Sequence, residues 1–180
     1  MVHIAAGNVE RIKDRQAKVV VSMVATLRED VGKLSRLSKQ RRIQKFDDYR
    51  RMRTGYRKLK YLMDNIGERS GAVEDRLPFK PDKEIMSNKI ESLRAFSKLS
   101  WGFFEHAPMT VTAALGARDI LMEEQVYFKT TFEYFDMMIL EAGLDDKTSE
   151  LLEQTREQIE NILTKVDELL KKSPEALEEF

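Results

Sequence analysis

Residues 33–60, KLSRLSKQRRIQKFDDYRRMRTGYRKLK, carry twelve Lys or Arg against two acids, Asp47 and Asp48, in a chain whose total charge is zero. Read at about 100° per residue, Tyr49, Met52, Tyr56, Leu59, Met63 and Ile66 fall on one face of a helix. Arg42, Arg50, Arg53, Arg57 and Lys60 fall on a second face beside it, with Phe46 among them. Such a helix packs its apolar side against protein and turns its cationic side toward something negatively charged.

Outward from this stretch, the chain reads as all-α. Among 180 residues there are eight Gly and four Pro, and apolar residues recur at helical rather than alternating spacing. A first helix is expected from an Asn8 cap, with Val9, Ile12, Val19, Val20, Met23, Leu27, Val31 and Leu34 as its stripe. Arg11, Arg15, Lys18 and Lys33 lie on its far side. Gly32, Ser35 and Ser38 mark a bend or turn before the next helix, and the pattern fits either a hairpin or one long kinked helix. Gly55, inside the second helix, should cost about 1 kcal/mol relative to Ala, and close approach of a partner backbone or phosphate would account for it.

Periodicity stops at residues 67–81, GERSGAVEDRLPFKP, which read as a linker. The expected organisation is therefore a basic helical module over 1–66, a linker over 67–81 and a helical bundle over 82–180. A third helix should start at Pro81 or Asp82 and end before Pro108. A fourth should run from Met109 to Leu140, closed by Gly143 and buried on most sides, with Ala113, Ala114, Gly116 and Ala117 admitting a close neighbour. The last should start at Asp145 or Asp146 and stop at Ser173-Pro174. Its core stripe reads Leu152, Ile159, Ile162, Leu163, Val166, Leu169 and Leu170, with Glu150, Glu153, Glu157, Glu160 and Glu168 outside.

Charge is strongly graded: residues 1–60 sum to +11, 61–118 to zero and 119–180 to −11. A basic end suits a polyanion, and an acidic end keeps assemblies soluble or meets a neighbour's basic end. The expected nucleic-acid contacts are Arg36, Arg41, Arg42, Lys45, Arg50, Arg51, Arg53, Arg57, Lys58 and Lys60, joined by Arg11, Arg15 and Lys18. Arg offers a planar fork to phosphate oxygens, and the hydroxyls of Tyr49 and Tyr56 could add contacts. No base-reading module is present, so binding should be non-specific and governed by counterion release. The competing reading of the same residues is an ordinary solvated face, partly matched by the chain's own acids.

Other chemistry finds little support. Without cysteine there are no disulfides or thiolate sites. A carboxylate di-metal site needs Glu-x-x-His pairs on two helices, and neither His3 nor His106 follows a Glu at that spacing. Glu105, Asp119, Glu123, Glu124, Glu133 and Asp136 are therefore read without a metal, and His106 as a helix-end residue. No phosphate-cradling glycine loop or nucleophile elbow occurs, so no enzyme and no cofactor are expected. The aromatic group Trp101, Phe103, Phe104, Tyr127, Phe128, Phe132, Tyr134 and Phe135 reads as core, or as a pocket or subunit interface to which Met137 and Met138 would lend adaptability. No signal-peptide layout or membrane span is evident, which suits a soluble protein, inside a cell or within a nucleoprotein particle.

In layout, the helices at 9–34 and 33–66 and the bundle beyond 67–81 resemble the helical major coat proteins of archaeal filamentous viruses. That resemblance implies basic N-terminal helices that wrap duplex DNA and a bundle that self-associates into a filament. Two alternatives remain: a peripheral membrane-remodelling filament protein on anionic lipid, and a helical adaptor in a protein complex.

Overall fold

A computed structural model describes residues 2–40, 43–106, 116–135, 137, 140 and 146–173. The fold is all-α, and no strand occurs among the described residues. The long helices are α1 (Val2–Gln40), α2 (Phe46–Ser70), α3 (Pro81–Phe104), α4 (Ala117–Glu133) and α5 (Asp146–Lys172), with a 3-10 turn at Gly71–Arg76. No helix among the described residues is long and apolar enough to cross a membrane.

Helix α1 already runs through Asn8, Gly32, Ser35 and Ser38, so neither the expected cap nor the expected bend lies where composition placed it. Non-helical backbone instead appears at residues 43–45, before Asp47 and Asp48 open α2 with negative charge at its positive dipole end. The 67–81 segment is also more ordered in pattern than expected. Helix α2 continues through Gly67 to Ser70, where Ser70 Oγ donates to the Gly67 carbonyl at 3.0 Å. The 3-10 turn then buries Val73, whose φ of −137° kinks it. A three-residue repeat interrupted by a kink carries no 3.6-residue signature, which is why the stretch reads as patternless.

Contacts divide the chain into two compact units, Met1–Leu37 with Thr54–Ser92, and Ser38–Arg53 with Leu93–Phe180. These cut across the expected division into 1–66, 67–81 and 82–180, because α2 and α3 each contribute to both units.

In the first unit, α1 buries Ala17, Val20, Val24, Leu27, Val31 and Leu34, α2 buries Tyr56, Leu59, Met63 and Ile66, and α3 buries Ile90. Val9, Ile12 and Val19 of the expected stripe are instead exposed. Residues Ile12 to Val19 of α1 share a groove with Glu68, Arg69 and Ala72, so the end of α2 lies beside the first half of α1. Arg76 reaches back to α1, pairing with Glu10 and, at 2.5 Å, with Asp14. Arg28 holds Glu84 of α3 through two hydrogen bonds of 2.6 Å. The guanidinium holds the Glu84 carboxyl below its ordinary range, partial burial opposing and Asn88 assisting.

In the second unit, α4 and α5 run antiparallel. Arg118 at the start of α4 donates to the carbonyls of Leu170 (3.4 Å) and Ser173 (3.3 Å) at the end of α5, and Gln125 donates to Asp167 at 2.5 Å. Arg118 thereby partners carbonyls that a helix end leaves open. The aromatic core stacks Tyr49 on Phe103 (centroids 4.6 Å apart) and Phe96 on Phe128 (5.6 Å). Phe103, Phe104, Phe128 and Phe135 are fully buried, Trp101, Tyr127 and Phe132 half-buried, and Tyr134 exposed. Helix α4 is not the all-round buried helix expected, because Met122 and Val126 face solvent. Gly116 precedes it with φ +71°, a left-handed conformation, so its small size serves backbone geometry rather than helix approach. Ala113, Ala114, Met138 and Gly143 lie outside the described residues.

Candidate functional site

The apolar stripe of α2 is buried along its whole length: Tyr49, Met52, Tyr56, Leu59, Met63 and Ile66 are each 8% exposed or less. That burial removes both tyrosines from the expected phosphate-contacting set. Tyr49 donates its hydroxyl to Glu124 Oε2 at 3.0 Å, with Ser100 Oγ 3.4 Å away. Burial first, and the Glu124 charge second, push the Tyr49 hydroxyl well above its usual range, which keeps it a proton donor.

Arg53 departs from the expected set in the same way. Its side chain is buried, donating from Nε to Glu124 Oε1 and from Nη2 to Glu123 Oε2. Burial works against the Arg53 charge, and the two carboxylates outweigh it, so the guanidinium pKa is raised. This arginine is structural, a correction to its placement on the phosphate-facing side. One signal was available: Arg53 follows Tyr49 by four residues and so sits one turn along nearly the same side of α2.

The other basic residues sort by what the fold does with them. Arg28, Lys33, Arg53 and Arg76 are engaged by carboxylates. Arg11, Arg15, Lys18, Arg36, Lys45, Arg51 and Lys58 are exposed and, among the described residues, form no ion pair. Arg50 is exposed beside the Phe46 ring (5.7 Å) and 3.9 Å from Asp47. Arg57 and Lys60 are also exposed. Arg41 and Arg42 lie outside the described residues. The first unit thus carries Arg11, Arg15, Lys18, Arg36, Arg57, Lys58 and Lys60, and the second Lys45, Arg50 and Arg51.

Burial is the largest influence drawing the Lys60 ammonium below its ordinary range; Asp64 opposes it, while Lys89 and Arg57 add to it. Lys89 was missed because it stands in the electrically neutral middle of the sequence and joins this field only through α3. Tyr61 was missed as well. It is the most exposed aromatic on α2, at 72%, following Arg57 and Lys58 by four and three residues. A hydroxyl there is open to a phosphate or sugar, as those of Tyr49 and Tyr56 are not. Gly55 is exposed, and a Cβ there would meet nothing within 4 Å, so packing within the chain does not require glycine.

Among the described residues no group of three or more His, Asp or Glu could hold a metal ion. His106 sits just past α3, exposed, with Nδ1 3.2 Å from Glu105. Asp119, Glu123 and Glu133 are exposed or half-exposed on α4, Glu124 is absorbed by Arg53 and Tyr49, and the side chain of Asp136 lies outside the described residues. The acids of α5, Glu150, Glu153, Glu157, Glu160 and Glu168, all face solvent. No family model, curated protein or solved structure matches this chain.

Proposed function

We propose that this protein is a non-enzymatic structural protein that coats nucleic acid, duplex DNA foremost, without sequence specificity, and associates with itself. The observation that carries the reading is selective pairing. The fold matches Arg28, Arg53 and Arg76 with carboxylates while leaving Arg11, Arg15, Lys18, Arg36, Lys45, Arg51 and Lys58 exposed and without ion pairs among the described residues. Phosphate contacts of this kind position a protein without reading bases, as in the viral coat proteins the layout resembles.

The test is binding to labelled random-sequence duplex across a salt series, with anionic liposomes as competitor. Six phosphate contacts give a log–log slope near −5, at about 0.9 per phosphate. Arg57→Glu with Lys58→Glu should flatten that slope by about 2 and weaken binding equally across sequences. No binding at low salt would overturn the reading. A membrane-surface role has one observation in its favour, the exposed Val9, Ile12 and Val19 beside Arg11, Arg15 and Lys18 on α1. Under that role the liposomes would displace the DNA.

A further inference from the structure

Two exposed apolar surfaces of opposite charge stand on different units. On α1, Val9, Ile12 and Val19 are 43–56% exposed. They share one side of the helix, and Arg11, Arg15 and Lys18 lie along its edge. The acids of this half-helix, Glu10 and Asp14, are held by Arg76, so the fold has taken up its negative charge and left the positive side open. A groove of about 520 Å³ runs here, with Ile12, Val19 and Ala72 as apolar lining and Arg15, Arg69 and Glu68 as charged lining.

The second surface is the outer face of α4. Met122 and Val126, four residues apart, form a ridge 50–65% exposed, and Tyr134, just past the end of the helix, is 56% exposed. Asp119 and Glu133 flank it, with Lys129 the basic residue alongside. The opposite side of the helix is committed to the core through Leu121, Glu124 and Phe128.

We propose that the chain assembles head to tail with copies of itself, the apolar and basic groove of α1 in one molecule receiving the apolar and acidic ridge of α4 from the next. A helical ridge entering a groove is an ordinary packing mode. Charge decides the pairing: groove against groove and ridge against ridge bring like charges together, whereas groove against ridge matches them. The contact is then heterologous, and it propagates instead of closing at a dimer unless its rotation makes a ring. An anionic membrane fits less well, because the ridge shares its sign, and a nucleic-acid backbone has no apolar surface for Ile12 and Val19. The inference rests on the self-association part of the proposed function, and in an assembled molecule it turns Arg11, Arg15 and Lys18 to a neighbour's acids and leaves the exposed Arg36, Lys45, Arg51 and Lys58 to the polyanion.

The test uses the full chain without nucleic acid, in sedimentation velocity over a broad concentration range. Wild type should form concentration-dependent species larger than a dimer. Val19→Asp spoils the groove and Val126→Lys the ridge; both sites are exposed, and far-UV circular dichroism confirms that each variant folds. Each alone should be monomeric where wild type assembles, at least a tenfold weakening. Mixed in equal amounts they should form dimers and stop there, since one intact groove meets one intact ridge. A wild type that stays monomeric throughout, a mixture that stays monomeric, or a single variant that assembles like wild type would each overturn the proposal. So would a Val19→Asp variant that loses anionic-vesicle binding with assembly unchanged, which would assign the groove to lipid. Failed assembly with intact salt-dependent DNA binding overturns this inference alone, and intact assembly without DNA binding overturns only the polyanion reading.

Discussion

Replacing Glu124 by Leu tests whether Arg53 is held by the core or offered to a ligand. Glu124 is 2% exposed and serves both Arg53 and Tyr49. The substitution leaves the guanidinium with Glu123, whose side chain is 51% exposed, and a half-solvated pair of that kind contributes about 0–1 kcal/mol. It also strands the Tyr49 hydroxyl with Ser100 at 3.4 Å, which adds about 1–3 kcal/mol. Breaking a buried pair from one side costs about 3–5 kcal/mol, and the same range is expected here. In a domain of this size it corresponds to a fall of roughly 6–20 °C in Tm. Trp101, the one tryptophan, lies in the same unit, so its fluorescence in urea reports the relevant transition while circular dichroism follows all helices. The control is Arg53→Met with Glu124→Leu: removing both charges should recover most of the loss, and adding Tyr49→Phe should recover more. A Glu124→Leu cost below about 1 kcal/mol, or a double variant no better than the single, would refute the buried-network account.

Other consequences are accessible to simple variants. Gly55→Ala should stabilise by about 1 kcal/mol, since the site is exposed and open; if a phosphate approaches that backbone, DNA affinity should fall in the same variant, measured by anisotropy. Glu84→Gln should lower stability near neutral pH. Because the Glu84 carboxyl is held below its ordinary range, its contribution is present above that range and fades as pH falls through the lowered value, so wild type and variant should converge in acid urea melts. Ser97 Oγ is buried with no partner among the described residues. Ser97→Ala should therefore be neutral or stabilising by up to about 1 kcal/mol, read from the urea midpoint.

Arg53 also governs how the proposed nucleic-acid surface should be probed. A charge reversal at 50, 53 and 57 together would confound lost phosphate contacts with a broken core. Arg57 and Lys58, exposed on α2, are the cleaner pair.

The amino-acid sequence by itself determined the all-α class, the six-residue core stripe of α2, the span of α3 from Pro81 to before Pro108, and both faces of α5. Each is written in helical periodicity and in cap or proline signals, which act over a few residues of chain. It also placed most of the exposed cations, because a charge is solvated by default. Tertiary structure decided the exceptions. Arg53 is buried because a carboxylate 71 residues away meets it, and Lys89 joins Lys60 and Arg57 only where α3 folds against α2. Val9, Ile12 and Val19 share the apolar character of the stripe that packs, yet they stay exposed because nothing in the described chain covers that face. Spacing along a helix is local information. The partner a charge or an apolar face finds is not, since burial depends on segments distant in sequence.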